Sequence, residues 1–275
     1  MGRLKKRQLR TVAVVLGILP TVFLLLYVSQ RFWAHRSEPF VPDYEQVTLT
    51  EKSDYETIFL QTGLGRSAAE KVLEQEGLEG LKEIQKLFFH PPAEVCSPLF
   101  GWFTREDRME NSGAPLVDLQ TGDVLVTLST HSVGWRHGHA GLVIDKDTVL
   151  ECGMIGTDSA LKGSKSWSSY TNYAVLRIEG VSREQQETMR EYALSTLRGV
   201  PYRLLAGFIG PKAPESGSSG FGLQCAYLVW YAWNFFGYDL DGDGGRLVSA
   251  SDLLDADCVE IVQVYGMNPE EMLKN

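Results

Sequence analysis

The chain has 275 residues, 44% of them apolar, which is enough to build a buried core, and its formal charge is −9. The charge is uneven: residues 1–36 hold seven of the 26 basic residues and none of the 35 acidic ones, so the remainder carries 19 bases against 35 acids, a net −16. A body this acidic excludes nucleic-acid binding by charge, and four cysteines (Cys96, Cys152, Cys225, Cys258) with no CxxC spacing exclude a zinc ribbon.

Five cations within Met1–Arg10 precede an apolar stretch from Val12 to Val28. Such a segment is a signal peptide or a signal anchor; its length and the absence of a small-x-small cleavage site after it favour an uncleaved anchor. The excess of cations on its N-terminal side predicts a cytoplasmic tail and an extracytoplasmic body. Residues 37–52, polar with two prolines, read as a linker. From Asp54 to Phe89 the apolar residues fall at helical spacing, broken at Gly77 and ended by His90-Pro91-Pro92. This is a helical leader expected to pack on the core.

The compact part is expected to begin near Ala114. Strands are predicted at 124–128, 138–144, 148–153 and 173–179 from their β-branched and apolar runs. Ser182 to Arg198 is predicted as a helix with a Ser182/Gln185 capping box and Gly199 as its stop. A loop rich in Gly and Ser, 210–222, leads into an apolar helix from Cys225 to about Gly237, and a last strand covers 259–264. A helix apolar nearly all round belongs at the centre of a domain. The predicted organisation is therefore a tail and anchor (1–36), a linker (37–52), a helical leader (53–112), the main domain (113–267) and a short tail (268–275). A disulfide between Cys96 and Cys258 is the one pairing considered.

Two positions carry chemistry. Cys225 opens a helix, where unpaired backbone N–H groups favour a thiolate, and His139 lies in a buried strand within His137-Gly138-His139-Ala140-Gly141-Leu142-Val143-Ile144. Cys152, next to Glu151, is a competing nucleophile without a helix to activate it. His137 and His139 are expected on one face of their strand, so either is a candidate base. Two metal readings compete: zinc on His131, His137 and His139 with Asp123 or Glu151, and calcium on Asp239-x-Asp241-x-Asp243-Gly244, which has Ala250 where a glutamate ligand is required.

The segments Leu119–Val124, Gly138–Ile144, Val149–Glu151, Gly199–Tyr202 and Gln224–Trp230 resemble, in order and spacing, the signatures of the YiiX-like, circularly permuted branch of the NlpC-type (papain-like) cysteine peptidase superfamily. The resemblance covers about residues 117–265, with Ala140 and Ala226 as departures. It implies an α+β, permuted papain-like fold, an antiparallel sheet on a central Cys-bearing helix. It also implies Cys225 as nucleophile, His139 as base and then acid, Glu151 as the group that orients the imidazole, and Tyr202 and His137 as cleft or rim residues that bind substrate. No cofactor is implied. The expected function is membrane-anchored, extracytoplasmic hydrolysis of amide bonds, with peptidoglycan as first substrate. The alternatives are a catalytically inactive, membrane-tethered binding module and an acyl-ester or thioester hydrolase.

Overall fold

The computed structural model of the chain describes residues 18–22, 24–25, 37–92, 94–100, 104–132 and 135–273. The expected tail and anchor therefore lie outside the described residues, apart from the helical residues 18–22 and 24–25. Among the described residues no helix is long and apolar enough to cross a membrane.

Twelve strands are described: β1 Val95–Cys96, β2 Leu99–Phe100, β3 Thr104–Glu106, β4 Arg108–Met109, β5 Val124–Thr127, β6 Thr130–Ser132, β7 Trp135–Arg136, β8 His139–Asp145, β9 Thr148–Glu151, β10 Ala160–Gly163, β11 Tyr173–Ile178 and β12 Val259–Tyr265. Six of them form an antiparallel sheet in the order β10-β9-β8-β5-β11-β12. The strands are apolar on both faces, which requires a cover on each side. On one face Val124, Val126, Ala140, Leu142, Ala174 and Leu176 pack against the helix Cys225–Asn234 and the helix Arg183–Tyr192. On the other, Leu125, Val143, Val149 and Val175 meet Ala68, Ala69, Val72, Leu81, Ile84 and Phe88 of the leader. An α+β molecule with a sheet between two helical layers results.

The leader does more than lie on the sheet. It consists of two helices, Tyr55–Thr62 and Arg66–Phe89, with the expected break at Gly77, where φ is 65°. Between them Gly63–Gly65 pairs with the edge strand β12: Val264 N–H donates to Gly63 O (2.7 Å) and Gly65 N–H to Val262 O (2.8 Å). Only glycine fits this approach, because Gly63 has φ 71° and a Cβ there would stand 2.0 Å from Val264 O.

Several expectations are adjusted. The helix after Ser182 has its capping box, but it ends at Tyr192 and continues as one wider turn to Leu197 before the left-handed Gly199. The helix begun by Cys225 ends at Asn234, and the strand expected over 148–153 stops at Glu151. Strand β10 and the small sheets β1-β4 and β2-β3-β6-β7 were not predicted; two to four residues are too few for a period to register. Cys96 and Cys258 are not joined in a disulfide.

The docking of the leader makes a prediction. Gly63→Ala should lower stability by more than about 1 kcal/mol, through its left-handed φ and its clash with Val264, and urea unfolding should show it as a lower midpoint.

Candidate active site

The site begins with the start of the central helix. Cys225 is its first residue, Gln224 its N-cap, and residues Ala226 to Trp233 are buried all round. Gln224 Oε1 accepts from Ala226 N–H (3.1 Å) and from the Cys225 thiol (3.3 Å), while its Nε2 donates to Val248 O (2.5 Å). The cap thus ties the cysteine to the segment that follows the central helix.

Strand β8 packs on this helix and starts at His139, which is 5% exposed. In the β8–β9 register Glu151 stands across from Gly141, and Gly141 shares a strand face with His139. A side chain at 141 would meet Glu151 Cγ at 3.2 Å and Trp167 Cζ2 at 3.1 Å from its Cβ, so the glycine provides the space in which these groups reach the histidine. His139 Nε2 lies 3.1 Å from Glu151 Oε2, and Cys225 is the other side chain that acts on the imidazole. Trp167 stacks on the ring of His139, with centroids 5.5 Å apart and 14° between planes, and its Nε1–H donates to Glu151 Oε1 (2.8 Å).

The electrostatics follow from this row. Burial alone would push the Cys225 thiol up, but the bond to His139, the charge of the imidazolium and the N–H groups of Ala140 and Ala226 outweigh it and lower the pKa below the ordinary thiol value. Burial works against a charged His139 as well, yet Cys225 and Glu151 raise it to about 10. Burial likewise opposes ionisation of Glu151, and bonds from His139 and Trp167 overcome it to lower its pKa. All three shifts point the same way, towards thiolate at Cys225, imidazolium at His139 and carboxylate at Glu151. Cys152 contrasts with it: burial, then the nearby Cys225 and Asp158, raise its pKa to about 12, and its thiol donates to Leu223 O (3.3 Å). It is a core thiol.

Tyr202 bridges to Leu223, two residues before the cysteine, and its phenol pKa is raised by burial and by the neighbouring Cys225 and Cys152. It is brought to the site. His137 corrects an expectation, since it does not share a strand face with His139: Gly138 has φ 70°, which breaks the alternation, and β8 begins only at His139. Its Nδ1–H donates to Gly138 O (2.7 Å) and its Nε2 is bonded to Ser132 Oγ (2.9 Å), so neither nitrogen is left to act as base.

The residues of the zinc reading are engaged elsewhere. His131 Nε2 meets Asp107 Oδ1 (3.3 Å), and both oxygens of Asp123 are held by Arg177 at 2.9 Å. The acidic turn differs from the expected loop. Oxygens of Asp241, Asp243 and Asp252 lie within 4.8 Å of one another, Asp252 standing in for the glutamate that Ala250 could not supply. Among the described residues these three are the group that could hold a cation. Asp239 is outside it, accepting from Trp230 Nε1 (2.7 Å), and Lys212 pairs with Asp241.

Trp167 and the capping role of Gln224 were missed in the sequence. A lone tryptophan inside the polar run Ser164–Ser169 was the available signal for the first; the second had none beyond its place before the cysteine.

The pKa shifts set the pH behaviour. A lowered thiol pKa means that alkylation of Cys225 by iodoacetamide stays fast as pH falls below the ordinary thiol value of 9.0, and declines only as pH passes through the lowered value. A normal thiol loses about tenfold per pH unit over that range. Mass mapping should find Cys225 labelled at neutral pH and Cys152 unlabelled, and His139→Ala should return Cys225 to the ordinary profile.

No family model matches the chain, and no curated protein matches it. Among solved structures it is similar to one described as the metalloprotein yiiX from Escherichia coli O157:H7, with 20% sequence identity over 52% of this chain and 96% of that one and a TM-score of 0.37.

Proposed function

We propose that the protein is a thiol hydrolase of permuted papain-like architecture, anchored in the cell membrane with its catalytic part extracytoplasmic, that cleaves amide bonds in peptidoglycan. The observation that carries the reading is the row Glu151–His139–Cys225, ending on a cysteine at the start of a buried helix. In this reading the Cys225 thiolate attacks the carbonyl carbon, and the tetrahedral oxyanion is met by the backbone N–H at the helix start. His139, already protonated, gives its proton to the departing amine; it then takes a proton from water as the acyl-enzyme is hydrolysed. Glu151 holds the imidazole in one tautomer throughout. Tyr202 lines the cleft and His137 belongs to its rim. Peptidoglycan follows from the family resemblance and from the basic tail before the apolar stretch.

A second reading on the same residues, hydrolysis of an acyl ester or thioester, is favoured by the turn that follows Tyr202. Leu204, Leu205, Phe208 and Ile209 are 51%, 50%, 49% and 75% exposed, an apolar patch on the segment that follows Tyr202.

The test is to incubate the detergent-solubilised full chain with purified cell-wall fragments and with acyl esters, and to read product masses. The expected result is loss of an amide linkage, abolished by Cys225→Ala with at least about a thousand-fold fall in rate and unaffected by a chelator. Unchanged masses in every sample would leave a non-catalytic binding module. Activity that survives Cys225→Ser but not chelation would point to a metal.

A further inference from the structure

We infer that Trp167 is a positioning residue for the His139–Glu151 pair, an assignment that rests on the thiol-hydrolase reading of the site. Trp167 acts on both partners at once. Its Nε1–H occupies Glu151 Oε1 (2.8 Å), which leaves Oε2 as the oxygen that faces His139 Nε2 (3.1 Å). Its indole face lies nearly parallel to the imidazole, so the ring cannot turn about χ2 without losing that stack, and a π face favours the imidazolium over the neutral ring. Trp167 is 1% exposed, and no reacting atom touches it in the scheme above; it works through Glu151 and His139.

Trp167 is itself held, and from outside the main domain. It is carried on the short turn Ser164–Ser169, and Tyr170 packs edge-on against it with centroids 5.2 Å apart. Arg108, at the end of the leader, lies 3.8 Å over the ring of Tyr170 and donates to Ser166 O (2.8 Å) and Ser169 Oγ (2.6 Å). Arg108 is bonded in turn to Glu106 (2.8 Å). A continuous set of contacts therefore runs from the leader through Trp167 to the catalytic imidazole. The other ionisable groups that act on the pair are Lys162, Arg108 and Tyr170 towards Glu151, and His137 and Cys225 towards His139.

Trp167→Phe separates the two contributions, because it keeps an aromatic face and deletes the N–H. The rate–pH profile of Cys225 alkylation should move its midpoint up by about one unit, which slows the reaction about tenfold at pH values below the native midpoint. Adding Glu151→Gln to Trp167→Phe should change little more, since both substitutions act on one unit. Near-UV circular dichroism establishes that the variant is folded, and a measurement on the native chain needs no variant: the Trp167 indole N–H resonance should shift with the same midpoint as the His139 ring. A Trp167→Phe profile that superimposes on the native one while Glu151→Gln is displaced overturns the assignment, as does an indole resonance that stays fixed while His139 titrates. A native chain whose Cys225 reacts with the midpoint of an ordinary thiol overturns the hydrolase reading instead, and the two failures are told apart by that single profile.

Discussion

The carboxylate of Glu151 is divided between two donors, one indole and one imidazole, and the chemistry of the site depends on that division. A buried carboxylate is costly unless its oxygens are satisfied, and both oxygens here are. The negative charge so held raises the pKa of His139, and His139 in turn lowers that of Cys225. Each charge is compensated chiefly by its neighbour in the row. Removal of one partner from such a buried set leaves an uncompensated charge, at a cost of about 3–5 kcal/mol. The row is therefore a single electrostatic object whose members do not act separately.

The fold serves this row by placing two different elements against each other. The helix that presents Cys225 is apolar on all sides and could not survive at a surface; the sheet that presents His139 and Glu151 is apolar on both faces and could not survive uncovered. Each provides the burial the other needs, and the charge-bearing residues lie where the two meet. Gly141 marks the constraint most sharply, because the site needs volume where a side chain would stand.

Much of this was legible in the sequence, and the reasons are physical. The long apolar runs at 124–127, 139–145 and 173–178 announce buried strands, and the Ser182/Gln185 pair announces a helix start, because these signals are local. His139, Glu151 and Cys225 were singled out because their order and spacing resemble a family's, and the structure brings His139 and Glu151 within 3.1 Å. His137 was misplaced because the left-handed turn at Gly138 interrupts an alternation that glycine does not advertise. Trp167 and the Asp252 contribution to the acidic cluster are contacts across the chain, and no local pattern reports them. The extent of the main domain was also incomplete as a sequence notion, since Gly63–Gly65 of the leader joins the main sheet and Arg108 buttresses its site.

That junction has a consequence for the protein's solubility. The outer strand of an open sheet presents unpaired amide and carbonyl groups, a template on which a second chain can polymerise. Here β12 is such a strand, and the bridge from Leu64 to Gln263 covers part of it with the molecule's own backbone. The opposite border, β10, is only four residues long and ends in an exposed lysine and glycine, Lys162 and Gly163, which discourage pairing. Both margins of the sheet are thus guarded against aggregation, one by self-pairing and one by brevity and charge.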